Sequence, residues 1–507
     1  MMSQPWKTPV TLNTYRLKGK LFPFQHQGAL FLAMVKNCLF TDATGLGKTV
    51  QAIAAYEVLK QKQPTLQMVV CTVASAQIQW LEEGFKEFLP HCKVAVVPAS
   101  PAPVQKRYEI YEKFSFRQLD VMIVNYDQLR RDSTSSIESY DVFGHKKIQH
   151  KMGGPFLDCV ACTDFILVLD EATKVKNISS LTSKAMQTLA AKARGVKAMT
   201  ATPIFTHLVD IYGIFKIIEP RVFVNKEKFK REFCTLDYRF TPYGTISGYK
   251  NHDQLRERIQ KFMFGRTKRE VAEQLPEFFT KNVYVDLPPD HMEIYQKIKS
   301  RRIIDDPETP LMAQVASIMH QQVCSNNLEC VKVMSGDEPY SESHPKIDAA
   351  VELVEGELSG QKIIIFSQFT ETISILEKKL QKILKKSDIF RISGVESQVE
   401  RHKNKKKWQD CQNTAVLLMT TAGGVALNLQ AAETIIMVDR PWSTGSVDQL
   451  RGRFDRIGSK HEKILEINLV ARGTIDEEII QSLSKKRRNI TKVVGKGDVP
   501  KKLEDGQ

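Results

Sequence analysis

The residues Asp42-Ala43-Thr44-Gly45-Leu46-Gly47-Lys48-Thr49 have the types and spacing to hold a polyphosphate. Glycines let a backbone close round phosphates with its N–H groups inward, Lys48 can reach the β and γ oxygens, and Thr49 can offer a hydroxyl to Mg²⁺. The common pattern opens on glycine, and Asp42 stands in that place. Farther along, the apolar run Phe165-Ile166-Leu167-Val168-Leu169 leads into Asp170-Glu171. A buried strand would bring both carboxylates out at its end, where Asp170 can hold Mg²⁺ and Glu171 can take a proton from an attacking water. An acidic strand end also serves as a helix cap or an ion-pair partner, but a phosphate loop upstream favours the metal and base roles. Arg453 and Arg456 are three residues apart, so on a helix they share a face and can both reach a γ-phosphate. Surface ion pairing with Asp448 or Asp455 is the alternative.

These groups need a sheet to place them. Cys38-Leu39-Phe40 reads as a strand entering the phosphate loop, and Val50-Gln51-Ala52-Ile53-Ala54-Ala55 as the helix leaving it. Met68–Val73, Val121–Tyr126 and Phe165–Leu169 read as further strands alternating with helical segments, which predicts a parallel α/β sheet with the site at its carboxyl edge. Ala198-Met199-Thr200-Ala201-Thr202-Pro203 suits a hydrogen-bonded linker towards a neighbouring lobe, with a plain turn as the alternative. Gln25, in Leu21–Gly28, can pair an adenine edge through its amide, or be a surface glutamine. A second α/β pattern starts at Lys362–Thr370. Its strand Ala415–Met419 runs into Thr421, Gly423, Gly424 and Asn428, small and polar residues that let a backbone approach a phosphate chain or cap a helix. Between the patterns, residues 217–344 predict a mainly helical insertion with a hairpin around Pro242–Gly244. The expected domains are 1–216, 217–344, 345–480 and a basic tail, 481–507.

A chain of 507 residues with 42% hydrophobic and 26% charged residues is globular, and no apolar run reaches the roughly 20 residues that span a bilayer. The N-terminus lacks the charged and apolar regions of a secretory signal, so a soluble, intracellular protein is expected. The net charge of +15 is spread along the chain and favours a polyanionic partner, nucleic acid first. Nine irregularly spaced cysteines fit a reducing compartment rather than a disulfide framework. His145, His150, Cys159 and Cys162 have types and spacings that could ligate zinc, but an apolar approach to a strand favours buried thiols.

Taken in order, these motifs resemble helicase superfamily two and, more closely, its Swi/Snf-type DNA-dependent ATPases. The resemblance runs from Leu21 to Ile480 and rests on Gln25, Gly47-Lys48-Thr49-Val50-Gln51, Asp170-Glu171, Thr200–Ile204, Phe366-Ser367-Gln368-Phe369, Thr421–Leu429 and Gln449–Ile457, with Arg266-Thr267-Lys268-Arg269 adding to the Swi/Snf character. It implies two RecA-like lobes in tandem and ATP with Mg²⁺ as cofactors. The nucleotide contacts would be Gln25, Thr44, Gly45, Gly47, Lys48, Thr49 and Asp170, and the catalytic set Glu171, Gln449, Arg453 and Arg456. Coupling or nucleic-acid roles would fall to Thr200, Thr202, Thr421, Gly423, Gly424 and Asn428. Thr173 stands where the family often has histidine, so its hydroxyl would have to replace an imidazole link. The compact motor, without chromatin-reading modules, favours by analogy a viral or bacterial enzyme acting as a monomer on double-stranded, forked or branched DNA. RNA offers the same phosphates. Three activities fit: unwinding with a hairpin wedge (Ser133–Pro155 or Phe240–Tyr249), translocation without strand separation, and a nucleotide-switched DNA clamp.

Overall fold

The computed structural model describes residues 16–502 apart from 101, 141–145, 205–206, 239–244, 272–276, 301–310, 330–342, 412–413, 422–428, 430, 455–460, 462 and 495–500. Contacts divide the chain into two units, with the main break between Val271 and Ala272.

The first unit is built on a seven-stranded sheet of β1 (Asn37–Phe40), β2 (Gln67–Thr72), β3 (Val94–Val96), β4 (Val121–Asn125), β7 (Phe165–Asp170), β8 (Gly195–Met199) and β11 (Met263–Phe264). Every pairing is parallel, in the order β11-β1-β8-β7-β2-β4-β3. Parallel strands are covered on both faces, which is why β2, β4 and β8 are buried along their whole length and read as near-continuous apolar runs. Two strands, β8 and β7, lie between β1 and β2, so the chain must cross over after the phosphate-loop helix. Such a switch of strand order opens the crevice at the carboxyl edge.

Two antiparallel ribbons leave this sheet. β5 (Thr134–Tyr140) pairs with β6 (Lys146–Met152), and β9 (Cys234–Asp237) with β10 (Thr245–Tyr249) across a bulge. The candidate hairpin Ser133–Pro155 is therefore a paired ribbon, with 141–145 outside the described residues; of the candidate Phe240–Tyr249 only 245–249 is described, paired with the earlier Cys234–Asp237, and Pro242–Gly244 lies outside the described residues.

The second unit has its own seven-stranded parallel sheet: β12 (Glu277–Val285), β13 (Lys362–Phe366), β14 (Ile389–Ile392), β15 (Ala415–Met419), β16 (Thr434–Met437), β17 (Lys463–Ala471) and β18 (Lys501–Lys502). Its order is β14-β15-β13-β16-β17-β12-β18. Two parallel α/β sheets in tandem are the RecA-like architecture expected.

The domain boundaries differ from those expected. Residues 217–344 do not form one body: β11 completes the first sheet and β12 enters the second, pairing with β17 over nine registered residues. Short strands such as Met263–Phe264 carry too little alternation to be legible. The expected break at 480 falls inside a single helix, Ile475–Val494, whose buried Ile475, Ile479 and Leu483 pack with Val447. Spacing of four residues made that stripe, and the following lysines obscured it. No described helix is long and apolar enough to cross a membrane.

Candidate nucleotide site

β1 ends at Phe40, and the chain turns through Gly45 and Gly47, both left-handed (φ 84° and 75°), into the helix Lys48–Lys62. A side chain at Gly47 would put its Cβ 2.6 Å from the Gln25 amide nitrogen, so the turn needs glycine twice over. Lys48 Nζ donates to the carbonyls of Asp42 (2.9 Å) and Ala43 (3.3 Å), which keeps the ammonium over the mouth of the loop. Thr44 and Thr49 flank the same turn, partly exposed.

Gln25 is buried rather than at the surface. Its Oε1 accepts from the Phe22 N–H (3.0 Å), capping its own helix, and its Nε2 donates to the Leu46 carbonyl (3.3 Å). Both ends of the amide thus brace the loop. Gln51 Nε2 reaches the same carbonyl at 3.0 Å.

At the end of β7, Asp170 Oδ2 accepts from Thr72 Oγ1 (2.9 Å) and Trp80 Nε1 (2.8 Å), while Tyr126 donates to the Asp170 carbonyl (2.8 Å). Burial, with the nearby acids adding to it, pushes the Tyr126 phenol well above its ordinary value, so it remains a donor. Glu171 follows in the left-handed region (φ 53°), a strained setting for a non-glycine residue and one that clusters at functional sites. Trp80 opens a π-helical stretch, Trp80–Phe85, and Gly84 of that stretch packs on the loop helix, where an added Cβ would stand 3.4 Å from Thr49 Cγ2. One irregular element therefore touches both proposed metal-binding positions. π-Bulges are frequent at functional sites.

Thr200 and Thr202 follow β8, next to β1. Thr200 is fully buried, its N–H donating to the Phe40 carbonyl (3.0 Å) and its Oγ1 accepting from the Thr202 N–H (3.2 Å). Thr202 Oγ1 is buried and has no hydrogen-bond partner among the described residues. Thr173 is buried just beyond the carboxylates.

In the second unit, Ser367 and Gln368 are fixed by Asp439, whose carboxylate accepts from Ser367 Oγ, the Gln368 N–H (2.9 Å) and Asn326 Nδ2 (2.9 Å). Burial raises the Asp439 carboxyl, although Lys346 and these donors pull against it. Gln449 lies on the helix Thr444–Arg451, and the buried Arg453 follows it, its carbonyl accepting from the Leu429 N–H (2.9 Å). Glu466, fully buried on β17, grips this region by pairing with Arg451 Nη2 (2.5 Å) and Arg440 Nη2 (2.6 Å). Burial alone would raise the Glu466 carboxyl, but the two guanidiniums outweigh it and hold it down to about 2. Thr421 is exposed after β15, whereas Gly423, Gly424, Asn428 and Arg456 lie outside the described residues.

The described members of the cysteine–histidine group, His150, Cys159 and Cys162, do not cluster as a centre. Cys159 donates to the Tyr111 carbonyl, His150 contacts Ser136 Oγ at 3.0 Å, and Cys162 is exposed rather than buried; His145 lies outside the described residues. Among the described residues no three His, Cys, Asp or Glu side chains cluster to hold a metal.

Sequence reasoning missed Thr72, Trp80 and Glu466. The signal for Glu466 was present, a lone acid inside the apolar run Ile464-Leu465-Glu466-Ile467; Trp80 gave none beyond being aromatic.

Residues 24–388 match the SNF2-related domain, and residues 345–458 the helicase conserved C-terminal domain. The chain belongs to the SNF2-related family. An uncharacterized ATP-dependent helicase of Mycoplasma pneumoniae is 28% identical over 93% of this chain and 42% of its own length. A DNA repair and recombination protein RAD54-like of Drosophila persimilis is 24% identical over 93% of this chain and 63% of its own. The chain thus spans between two fifths and two thirds of the length of these curated relatives. The solved Sulfolobus solfataricus SWI2/SNF2 ATPase core in complex with dsDNA is 24% identical, covers 96% of this chain and 95% of that one, and superposes with a TM-score of 0.43.

Proposed function

We propose that this SNF2-family chain is an ATP hydrolase driven by DNA, which converts turnover into movement along the duplex and unwinds or branch-migrates forked and junction DNA. The observation that carries the reading is one π-helical element that donates to Asp170 and packs against the helix leaving the phosphate loop, beside a strained Glu171. Lys48 and the loop N–H groups hold the triphosphate, with Gln25 bracing the loop and open to an adenine edge only if its amide is released. Thr49 and Asp170 have the oxygen donors that Mg²⁺ takes, and the ion, when bound, would neutralise charge on the β and γ oxygens. Glu171 takes the proton of the attacking water. Gln449, Arg453 and Arg456 of the second unit are assigned to the γ-phosphate, where arginine stabilises transition-state charge. Thr200, Thr202, Thr421, Gly423, Gly424 and Asn428 are assigned to coupling and to the nucleic-acid backbone.

The hairpin β5–β6 favours unwinding, because a two-stranded ribbon can serve as a wedge. Translocation without strand separation is the second reading. Strand displacement on forked, Holliday-type and blunt duplexes, measured alongside ATP turnover, separates them. Product from forks or junctions supports unwinding. Turnover without product supports translocation, and absence of both sinks the motor reading and leaves a clamp.

A further inference from the structure

Asp42 occupies the place where phosphate loops commonly carry glycine, and its side chain is wholly buried. A buried carboxylate is costly unless it is paired and its lone pairs are met. Arg266 supplies three donors: its backbone N–H to Oδ1 (3.1 Å), Nε to Oδ1 (3.0 Å) and Nη2 to Oδ2 (2.5 Å). Gln51 Nε2 supplies another to Oδ2 at 3.0 Å. A carboxylate has about four acceptor sites, so that of Asp42 is saturated.

The guanidinium is held as firmly. It donates to Gln51 Oε1 (2.9 Å) and to the Phe24 carbonyl, and lies over the rings of Phe24 and Phe264 at 5.2 and 4.9 Å. The backbones also join, with Thr41 N–H donating to the Phe264 carbonyl (2.7 Å) and Ala43 N–H to the Arg266 carbonyl (2.9 Å). Between them Gly265 approaches so closely that an added Cβ would stand 2.0 Å from Thr41 Oγ1 and 2.6 Å from the Thr41 carbonyl carbon. Only glycine fits there. From Asp42 the contacts run on through Gln51 to the Leu46 carbonyl, between the two left-handed glycines that form the phosphate turn.

We propose that Arg266 is a positioning residue for the phosphate loop. Through Asp42 and Gln51 it holds the Gly45-Leu46-Gly47 turn in the form that accepts a triphosphate, and bound nucleotide in return tightens the 263–266 segment. The proposal rests on the phosphate-binding reading of that loop.

Amide hydrogen exchange on the full chain, with and without Mg²⁺ and a slowly hydrolysed ATP analogue, tests both and tells them apart. Slower exchange is expected in peptides covering 41–51 and also, by about tenfold, in those covering 262–268. Slowing in the first set alone overturns the role of Arg266. No change in either removes the phosphate-binding reading and the proposal with it. Arg266→Lys, which keeps the charge but loses the planar fork, and Asp42→Asn are each expected to raise the KM for ATP about tenfold, with the double variant no worse than either. A lowered melting temperature with unchanged KM would mean that the pair only staples the fold, and would overturn the proposal. If Arg266→Lys does not fold, Asp42→Asn and the exchange measurement decide.

Discussion

At the scale of single residues, the site depends on groups that hold the reacting ones still. Asp170 receives two donors on one oxygen, from Thr72 and Trp80. Losing a hydrogen bond to a charged group costs about 1.5–3 kcal/mol, so Trp80→Phe, which keeps an aromatic side chain but loses the indole N–H with its five-membered ring, should lower ATP turnover by roughly tenfold or more. The dependence on Mg²⁺ should move to higher concentration, and steady-state kinetics across a Mg²⁺ titration would show it. Unchanged Mg²⁺ dependence would separate Trp80 from the metal position. Lys48→Ala should weaken nucleotide binding itself, as read by a fluorescent ATP analogue. Arg456→Ala should leave that binding nearly intact while reducing DNA-stimulated hydrolysis by about 10³. The residues proposed to meet the nucleotide stand out in the sequence because their spacing is set by a turn and a strand end. Trp80 and Arg266 were not, because they reach Asp170 and Asp42 across 90 and 224 positions, and no local pattern records such a contact.

At the scale of elements, the clamp at Glu466 ties β17 to the helix carrying Gln449 and leading to Arg453. Removing one member of a buried ion pair costs about 3–5 kcal/mol, so Glu466→Gln should lower the melting temperature of the second unit markedly. Its pH dependence has a definite sign. The folded carboxyl lies near 2 against an ordinary 4.5, so its contribution is whole above about 4.5 and is lost as pH falls towards 2. The loss of stability in acid should therefore be shallower in Glu466→Gln than in the parent, and an identical acid profile would contradict the assignment. The hairpin β5–β6 gives a separate test, since replacing residues 134–152 by a short glycine–serine link should abolish strand displacement while sparing DNA-stimulated turnover. Strands with continuous apolar runs were legible in the sequence. β11 and β12 were not, because a two-residue strand and a half-exposed one show neither an apolar block nor clean alternation.

At the scale of the whole molecule, the central claim is that two sheet-based units make one ATP-driven motor, with the phosphate loop in the first and the arginines in the second. The order of the motifs announced two parallel sheets in tandem before the strands were placed, although the boundaries between domains did not follow from it. The most direct test is steady-state ATP hydrolysis by the parent, Glu171→Gln and Arg456→Ala, with and without saturating duplex DNA. The account predicts that DNA stimulates the parent strongly, that Glu171→Gln and Arg456→Ala lose that stimulated rate, and that both still bind nucleotide. Turnover that ignores DNA, or that survives unchanged in Arg456→Ala, would contradict it.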